Sequence, residues 1–311
     1  MKTKNPPITL GQAIAGYKLN LSSRRLSPHT ISDYNNSLKK FQDYIGNPII
    51  TEITRDQVQA FLAACQVSNK TARNYCVCLS SLWKWLKKSD LVKDNIIEDI
   101  DRPRPERRVI TILEPHEIKT LLQSIDKTRP YARPGKKTCT NHVPFADRNR
   151  ALLFFMLDNG VRVSEISNLK IKDLDVKNSR AFILGKGSKE RWVPYSPRTA
   201  SAIWKYLTQR PDHQPDDPLF ATGDNRRPLT PRHIQELLET IATRAGISGV
   251  HPHRFRHTFA VTYLRAGGDV FTLQMILGHE DLDMVRHYSR LAETDVRRVH
   301  RLASPVEYLN L

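Results

Sequence analysis

Four residues in the last quarter of the chain have side chains suited to chemistry on a phosphate group. They are His253, Arg256, His279 and Tyr288, and apolar patterns typical of helices lie between them. The planar guanidinium of arginine matches phosphate oxygens, histidine transfers protons near neutral pH, and a tyrosine hydroxyl can act as a nucleophile. Each residue taken singly is more simply explained as a solvated or structural side chain, so the hypothesis depends on their grouping.

The composition predicts two domains that both face a polyanion. The chain has 311 residues, enough for two cores, and a formal net charge of +17 at pH 7. Residues 1–110 contain 18 Lys and Arg against 10 Asp and Glu, and the remainder contains 31 against 22. Because both parts are basic, we expect nucleic acid contacts along the whole chain, although charge alone also fits an ordinary basic protein.

Several classes of protein do not fit the sequence. The four cysteines form no disulfide framework in a chain of this length, and no Cys-x-x-Cys pair occurs. The first residues lack the apolar core of a signal peptide, and no apolar run approaches the ~18 residues of a membrane span. We therefore expect a cytoplasmic, nucleoid-associated protein with no membrane partner.

Residues 1–100 predict a domain of four short helices. Apolar residues recur at helical spacing, and Ser27-Pro28, Thr54 and Ser68 are typical helix starts. Phe41, Trp83 and Trp85 are interpreted as core residues. Basic residues off the apolar stripes are candidate DNA-phosphate contacts: Lys39, Lys40, Lys70, Arg73 and Lys84.

Residues 101–110, with two prolines and four arginines, predict a linker between this domain and a second domain at 111–311. Helices are expected from Pro115 and over 149–158, 198–209 and 231–245, with a loop at 128–146 and a charged helical pattern over 291–303. Arg162 is expected at a corner, because Gly160 ends one helix and the next begins near Ser164. Two β-rich runs around a Gly-Lys-Gly-Ser turn predict a hairpin over 180–194. The fold class is thus mainly α with a small antiparallel β-sheet.

Three short motifs resemble the tyrosine recombinases, the phage integrase family. The C-terminal signature is His253-x-x-Arg256-His257-Thr258, then Leu277-Gly278-His279 and a tyrosine nine residues later. Gly160-x-Arg162-x-Ser164-Glu165 is similar to the family's first arginine box, with Ile166 where leucine is commoner. The hairpin turn at Gly185-Lys186-Gly187 is the third. The resemblance implies an N-terminal helical core-binding bundle followed by a C-terminal tyrosine-recombinase catalytic domain.

The resemblance also implies a role for each site residue. Tyr288 would be the nucleophile that forms a 3′-phosphotyrosyl link. Arg162 and Arg256 would stabilise the charge on the phosphate, and Lys186 would be the general acid. His253 would assist proton transfer near Tyr288, and His279 would donate a hydrogen bond to the phosphate. Glu165 would support the site. Lys189 is close enough to compete with Lys186. His251 and His257 are interpreted as structural residues.

No cofactor or metal is expected, because arginines supply the positive charge. A phosphate-binding P-loop fails at Arg180, where glycine is required, and at Gly187, where Ser or Thr is required. His253 and His257 have the spacing of a zinc pair, but Arg254 stands where that motif has glutamate.

The leading hypothesis is a site-specific DNA recombinase for integration or excision of a mobile element or for replicon resolution. Its expected partners are double-stranded DNA and three further copies of the chain, as a homotetramer on paired DNA sites. Simple recombination sites are expected, because no extra arm domain is evident before the bundle. A type IB topoisomerase and a non-catalytic DNA-binding protein of the same fold are the alternatives. The C-terminal tail and the Leu-Gly-His motif favour the recombinase over the topoisomerase, and all six expected functional residues argue against a non-catalytic protein.

Overall fold

The computed structural model describes residues 7–104, 106, 110–126, 144–185, 189–223, 227–278, 288, 300 and 304–309. The chain divides into two units, Met1–Arg108 and Val109–Leu311. Each unit has its own cluster of buried apolar side chains.

The described part of the N-terminal unit contains four α-helices whose starts are fixed by side-chain caps. They are α1 (Leu10–Ser23), α2 (Pro28–Ile45), α3 (Arg55–Ala64) and α4 (Asn69–Lys88), with a 3-10 turn at Ile50–Glu52. The hydroxyls of Ser27, Thr54 and Ser68 accept hydrogen bonds from backbone N–H groups three residues later, at 3.1, 3.3 and 3.3 Å. The three helix starts predicted from these residues are confirmed.

Aromatic side chains form the centre of the N-terminal core. The ring of Phe41 lies 5.1 Å from that of Phe61 and 6.2 Å from that of Trp83, edge to face. Phe41 and Trp83 are buried, as predicted, whereas Trp85 is half-buried beside Tyr17. The five basic side chains expected on the outside are all exposed on α2 and α4: Lys39, Lys40, Lys70, Arg73 and Lys84.

The C-terminal unit is built around one buried helix, α6 (Ala146–Asn159), which packs against α8 (Pro197–Leu207) and α10 (Pro252–Arg265). Most of the α6 side chains are buried. The remaining elements are α5 (Pro115–Asp126), α7 (Val163–Ser167), a 3-10 turn at Ile171–Asp173, α9 (Pro231–Ala245), α11 (Val270–Leu277) and a short helix at Pro305–Tyr308. The four helices predicted from Pro115 and over 149–158, 198–209 and 231–245 are confirmed, and the first of them begins at Pro115 as expected.

A three-stranded antiparallel sheet flanks these helices in the order β1 (Leu174–Asp175), β2 (Arg180–Leu184) and β3 (Glu190–Pro194). Ala181 pairs with Val193 and Ile183 pairs with Arg191, so these four side chains share the inner face. The predicted hairpin is confirmed, and the backbone N–H of Gly185 donates to the carbonyl of Lys189 at 2.7 Å to close it.

The fold class, mainly α with a small antiparallel sheet, is also confirmed. Some predictions lie outside the described residues: residues 186–188 of the expected Gly-Lys-Gly-Ser turn, most of the loop at 128–146 and nearly all of the helical pattern at 291–303. Among the described helices, none is long and apolar enough to cross a membrane.

Candidate active site

The corner between α6 and α7 depends on Gly160. This residue has a φ of +58°, a left-handed conformation that side chains rarely adopt, and it ends α6. A Cβ atom there would lie 2.5 Å from Cδ1 of Phe259 on α10. The chain turns sharply here, and only glycine fits at this position. Arg162 lies at the corner as the residue that precedes α7.

Glu165 is buried behind Arg162, with 3 % of its side chain exposed. Its two carboxylate oxygens accept four hydrogen bonds, two from each of two arginines. Arg162 donates from Nη1 to Oε1 at 3.1 Å and from its backbone N–H to Oε2 at 2.9 Å. Arg191 donates to Oε1 at 3.0 Å and to Oε2 at 2.8 Å.

These bonds decide the ionisation of Glu165. Burial raises its pKa, but the hydrogen bond from Arg191, the Arg162 backbone N–H and the two nearby positive charges outweigh burial and lower the pKa below its usual range. The sequence predicts that Glu165 supports the site, and in the structure its carboxylate is ionised at neutral pH.

Arg256 projects inward from α10, and the residue is 4 % exposed. Its guanidinium donates to the carbonyls of Gly160 at 2.8 Å and Leu277 at 2.9 Å. Burial, followed by the neighbouring charge of Arg162, lowers its pKa to about 10. The group remains positive at neutral pH, and the two guanidinium groups are close enough to repel each other.

The C-terminal end of α11 is where the arginines meet. The last carbonyls of a helix have no partner within it, and the end carries a partial negative charge. Here the backbone N–H of Gly278 donates to the carbonyls of Gln274 and Met275. The next three carbonyls accept from three arginines: Ile276 from Arg191 at 2.8 Å, Leu277 from Arg256 at 2.9 Å and Gly278 from Arg162 at 3.3 Å.

Tyr288 lies against α10 and is 1 % exposed. A hydrogen bond of 2.8 Å joins its hydroxyl to Nδ1 of His257. Burial raises the pKa of Tyr288, and the charge of Arg256 opposes this rise. The phenol is therefore neutral near pH 7, with a histidine placed to take its proton.

His253 is exposed one helical turn before His257, and the two imidazole rings lie 6.3 Å apart. His251 caps α10, because its Nδ1 accepts from the backbone N–H of Arg254 at 3.3 Å. This agrees with the structural interpretation of His251. Lys186 and His279, which complete the predicted set, lie outside the described residues.

Two residues of the site were not identified from the sequence. His257 was interpreted as structural, but it contacts the proposed nucleophile; its spacing of four from His253 on one helix was the available signal. Arg191 was not considered. Its position two residues before the inward-facing Val193 places it on the inner face of the sheet, which is an unusual place for a charge.

The structure draws together Arg162, Glu165 and Arg256, and it sets Tyr288 beside α10. In the part of the chain that is described, no cluster of three or more His, Cys, Asp or Glu side chains is arranged to hold a metal ion. The described site thus presents buried positive charge, a proton acceptor and a phenol, which suits transfer of a phosphoryl group between oxygens.

Comparison with known proteins agrees with this geometry. The profile of the phage integrase family matches residues 111–295, and that of the phage integrase N-terminal SAM-like domain matches residues 14–88. Tyrosine recombinase XerC of Oceanobacillus iheyensis is 29% identical over 294 residues, covering 91% of this chain and 92% of the relative. XerC of Alcanivorax borkumensis is 28% identical over 291 residues, covering 91% of this chain and 90% of the relative.

Two crystal structures share the fold. XerH site-specific recombinase bound to difH substrate, in a pre-cleavage complex, has a TM-score of 0.66 and 25% identity, covering 91% of this chain and 81% of that one. A lambda integrase tetramer bound to a Holliday junction has a TM-score of 0.72 and 17% identity, covering 94% and 80%. The catalytic profile spans more than half of the sequence, and the chain therefore belongs to the phage integrase family.

Proposed function

We propose that this chain, a tyrosine-type site-specific DNA recombinase, cuts and rejoins DNA strands with Tyr288 as its nucleophile. The observation that supports this most is the meeting of Arg162 and Arg256 at the end of α11. The charge of Arg162 lowers the pKa of Arg256, after the larger effect of burial, so the two groups repel each other. A DNA phosphate bound between them would relieve that repulsion.

In the cleavage step, the oxygen of Tyr288 attacks phosphorus and forms the 3′-phosphotyrosyl bond. The bond from phosphorus to the 5′ oxygen breaks, and that oxygen leaves as a hydroxyl once it is protonated. His257 is in position to accept the phenolic proton at Nδ1, with His253 one turn further along α10. Lys186 would donate the proton to the leaving oxygen, and His279 would hydrogen-bond the phosphate. One phosphoester bond replaces another, so rejoining is the reverse step.

The arginines stabilise the charge that builds on the nonbridging oxygens. Because their guanidinium groups are held by backbone carbonyls and by Glu165, they need little rearrangement when that charge appears. Tyr288 is 1 % exposed, so a DNA phosphate reaches its hydroxyl only after this side chain or its cover moves.

We propose that residues 1–100 form the core-binding domain, joined by the linker at 101–110 to the catalytic domain at 111–311. The exposed lysines and arginine of α2 and α4 would contact phosphates of double-stranded DNA. The fold shared with a lambda integrase tetramer on a Holliday junction supports a homotetramer on paired DNA sites. We place this activity in the cytoplasm at the nucleoid, where it would serve integration or excision of a mobile element or replicon resolution.

A nicked suicide substrate tests the proposed chemistry. The nick lies just beyond the scissile phosphate, so the short fragment diffuses away after cleavage and the protein stays attached to DNA. The wild-type chain should give a covalent adduct stable to detergent, while Tyr288→Phe binds the DNA and gives none. Absence of an adduct from the wild type would contradict the proposal and favour the non-catalytic alternative. Strand exchange between two duplexes separates a recombinase from a topoisomerase, which gives the adduct without exchange.

A further inference from the structure

Arg191 connects the β-hairpin to Glu165 and to the end of α11, where the two arginines proposed to bind phosphate also make contacts. Its side chain is 13 % exposed and uses all three of its nitrogen atoms. Nη1 and Nη2 donate to the two oxygens of Glu165, and Nε donates to the carbonyl of Ile276 at 2.8 Å. A guanidinium that donates from both terminal nitrogens to one carboxylate has a fixed orientation as well as a fixed position.

The charges of Arg162, Glu165 and Arg191 matter as much as the hydrogen bonds among them. Glu165 is ionised, buried and 3.1 Å from Nη1 of Arg162. If Arg162 were its only partner, the negative charge of Glu165 would cancel the positive charge that Arg162 offers to a DNA phosphate. With Arg191 added, the three side chains have a net charge of one positive unit. We propose that Arg191 is a positioning residue that neutralises Glu165 and leaves the charge of Arg162 for the DNA phosphate. This inference rests on the proposed function, in which Arg162 binds that phosphate.

Arg191 also controls the direction of Arg162. While Arg191 occupies one side of both carboxylate oxygens, Glu165 receives a single guanidinium nitrogen from Arg162, and the other nitrogen reaches the carbonyl of Gly278. Without Arg191, the carboxylate is open to a two-pronged pairing with Arg162, which is the stronger arrangement. Arg162 would then turn away from the end of α11.

The same residue joins two segments of the site. It lies on β3 of the hairpin, and its Nε donates to the carbonyl of Ile276 near the C-terminal end of α11. Gly278 packs directly on it, since a Cβ atom there would lie 3.1 Å from Cζ of Arg191. The side chain of Arg191 thus links the hairpin directly to the end of α11.

The test compares substitutions of similar size in the full chain, with adduct formation on the nicked substrate as the readout. Arg191→Gln should slow adduct formation by about 100-fold, at the lower edge of the about 10²–10³-fold cost of removing a direct donor. Arg191→Lys keeps a positive charge beside Glu165 but loses the two-pronged contact, so its rate should lie between those of the wild type and Arg191→Gln. Arg180→Gln, on the outer face of the same sheet, controls for loss of an arginine from the sheet.

A double variant isolates the proposed role. If Arg191 acts by neutralising Glu165, the added change Glu165→Gln removes the need for it, and Glu165→Gln with Arg191→Gln should return to within about tenfold of the wild type. Losses that simply add, or equal loss in Arg191→Lys and Arg191→Gln, would overturn this inference alone, because the wild type still forms its adduct. A wild-type chain that forms no adduct overturns the proposed function and this inference with it.

Discussion

Replacing Gly160 by alanine should destabilise the C-terminal unit more than the same change at another glycine of similar backbone conformation. Gly160 has a φ of +58°, and an L-residue there costs roughly 1–2 kcal/mol. The new Cβ would also lie 2.5 Å from Phe259 and 3.1 Å from Leu277, and overpacking of this kind adds about 1–3 kcal/mol. The expected total loss in free energy of unfolding is thus about 2–5 kcal/mol.

Gly249 provides the matched control within the same unit. Its φ is +67°, but a Cβ atom there meets nothing within 4 Å, so Gly249→Ala should cost only the backbone strain of roughly 1–2 kcal/mol. Hydrogen exchange measured peptide by peptide gives the opening free energy of this unit separately from the N-terminal unit. Gly160→Ala should also slow adduct formation, because the Gly160 carbonyl holds Arg256. Equal destabilisation by the two variants would refute the close-packed corner.

Three further predictions concern DNA binding, the general acid and pH. Affinity for DNA should fall by about 10³–10⁵-fold between roughly 50 and 200 mM salt if ~6–10 phosphates are contacted; a flat response in a filter-binding titration would contradict the DNA-contact proposal. Lys186→Ala should slow cleavage by about 10²–10⁴-fold on normal DNA and recover on DNA with sulfur as the bridging 5′ atom, whereas Arg162→Ala should not recover. Equal loss on both substrates would show that Lys186 does not donate the proton. Burial raises the pKa of Tyr17 to about 12 and that of Cys78 to about 12, from 10.0 and 9.0, so the N-terminal unit should be fully stabilised below about pH 9 and lose stability as pH rises towards 12. Thermal melting against pH measures this loss, and Cys78→Ala should reduce it; a melting temperature constant up to pH 11 would contradict it.

Local features of the fold could be predicted from the sequence because they depend on neighbours in the chain. The caps at Ser27, Thr54 and Ser68 each use a backbone N–H three residues away. The hairpin follows from two β-rich runs around a glycine-containing turn, and the glycine at 160 marks the corner before Arg162. Such signals need no knowledge of distant segments.

Contacts between distant segments could not be predicted in the same way. Arg162 reaches Gly278 across 116 positions and Arg191 reaches Ile276 across 85, and no periodicity links these residues. His257 is next to a recognised motif, but its contact with Tyr288 depends on how a segment 31 residues later folds back on α10. The sequence therefore indicates candidate site residues more readily than it indicates what each one touches.

The most direct test of the central claim is to locate the covalent bond between the protein and DNA. The wild-type chain is allowed to react with the nicked substrate, the adduct is digested with protease and nuclease, and the modified peptide is sequenced by mass spectrometry. We predict that the nucleotide remnant lies on Tyr288, joined through a 3′-phosphate, and that Tyr288→Phe yields no modified peptide. A remnant on Tyr263 or Tyr308, or an adduct that persists in Tyr288→Phe, would contradict the account.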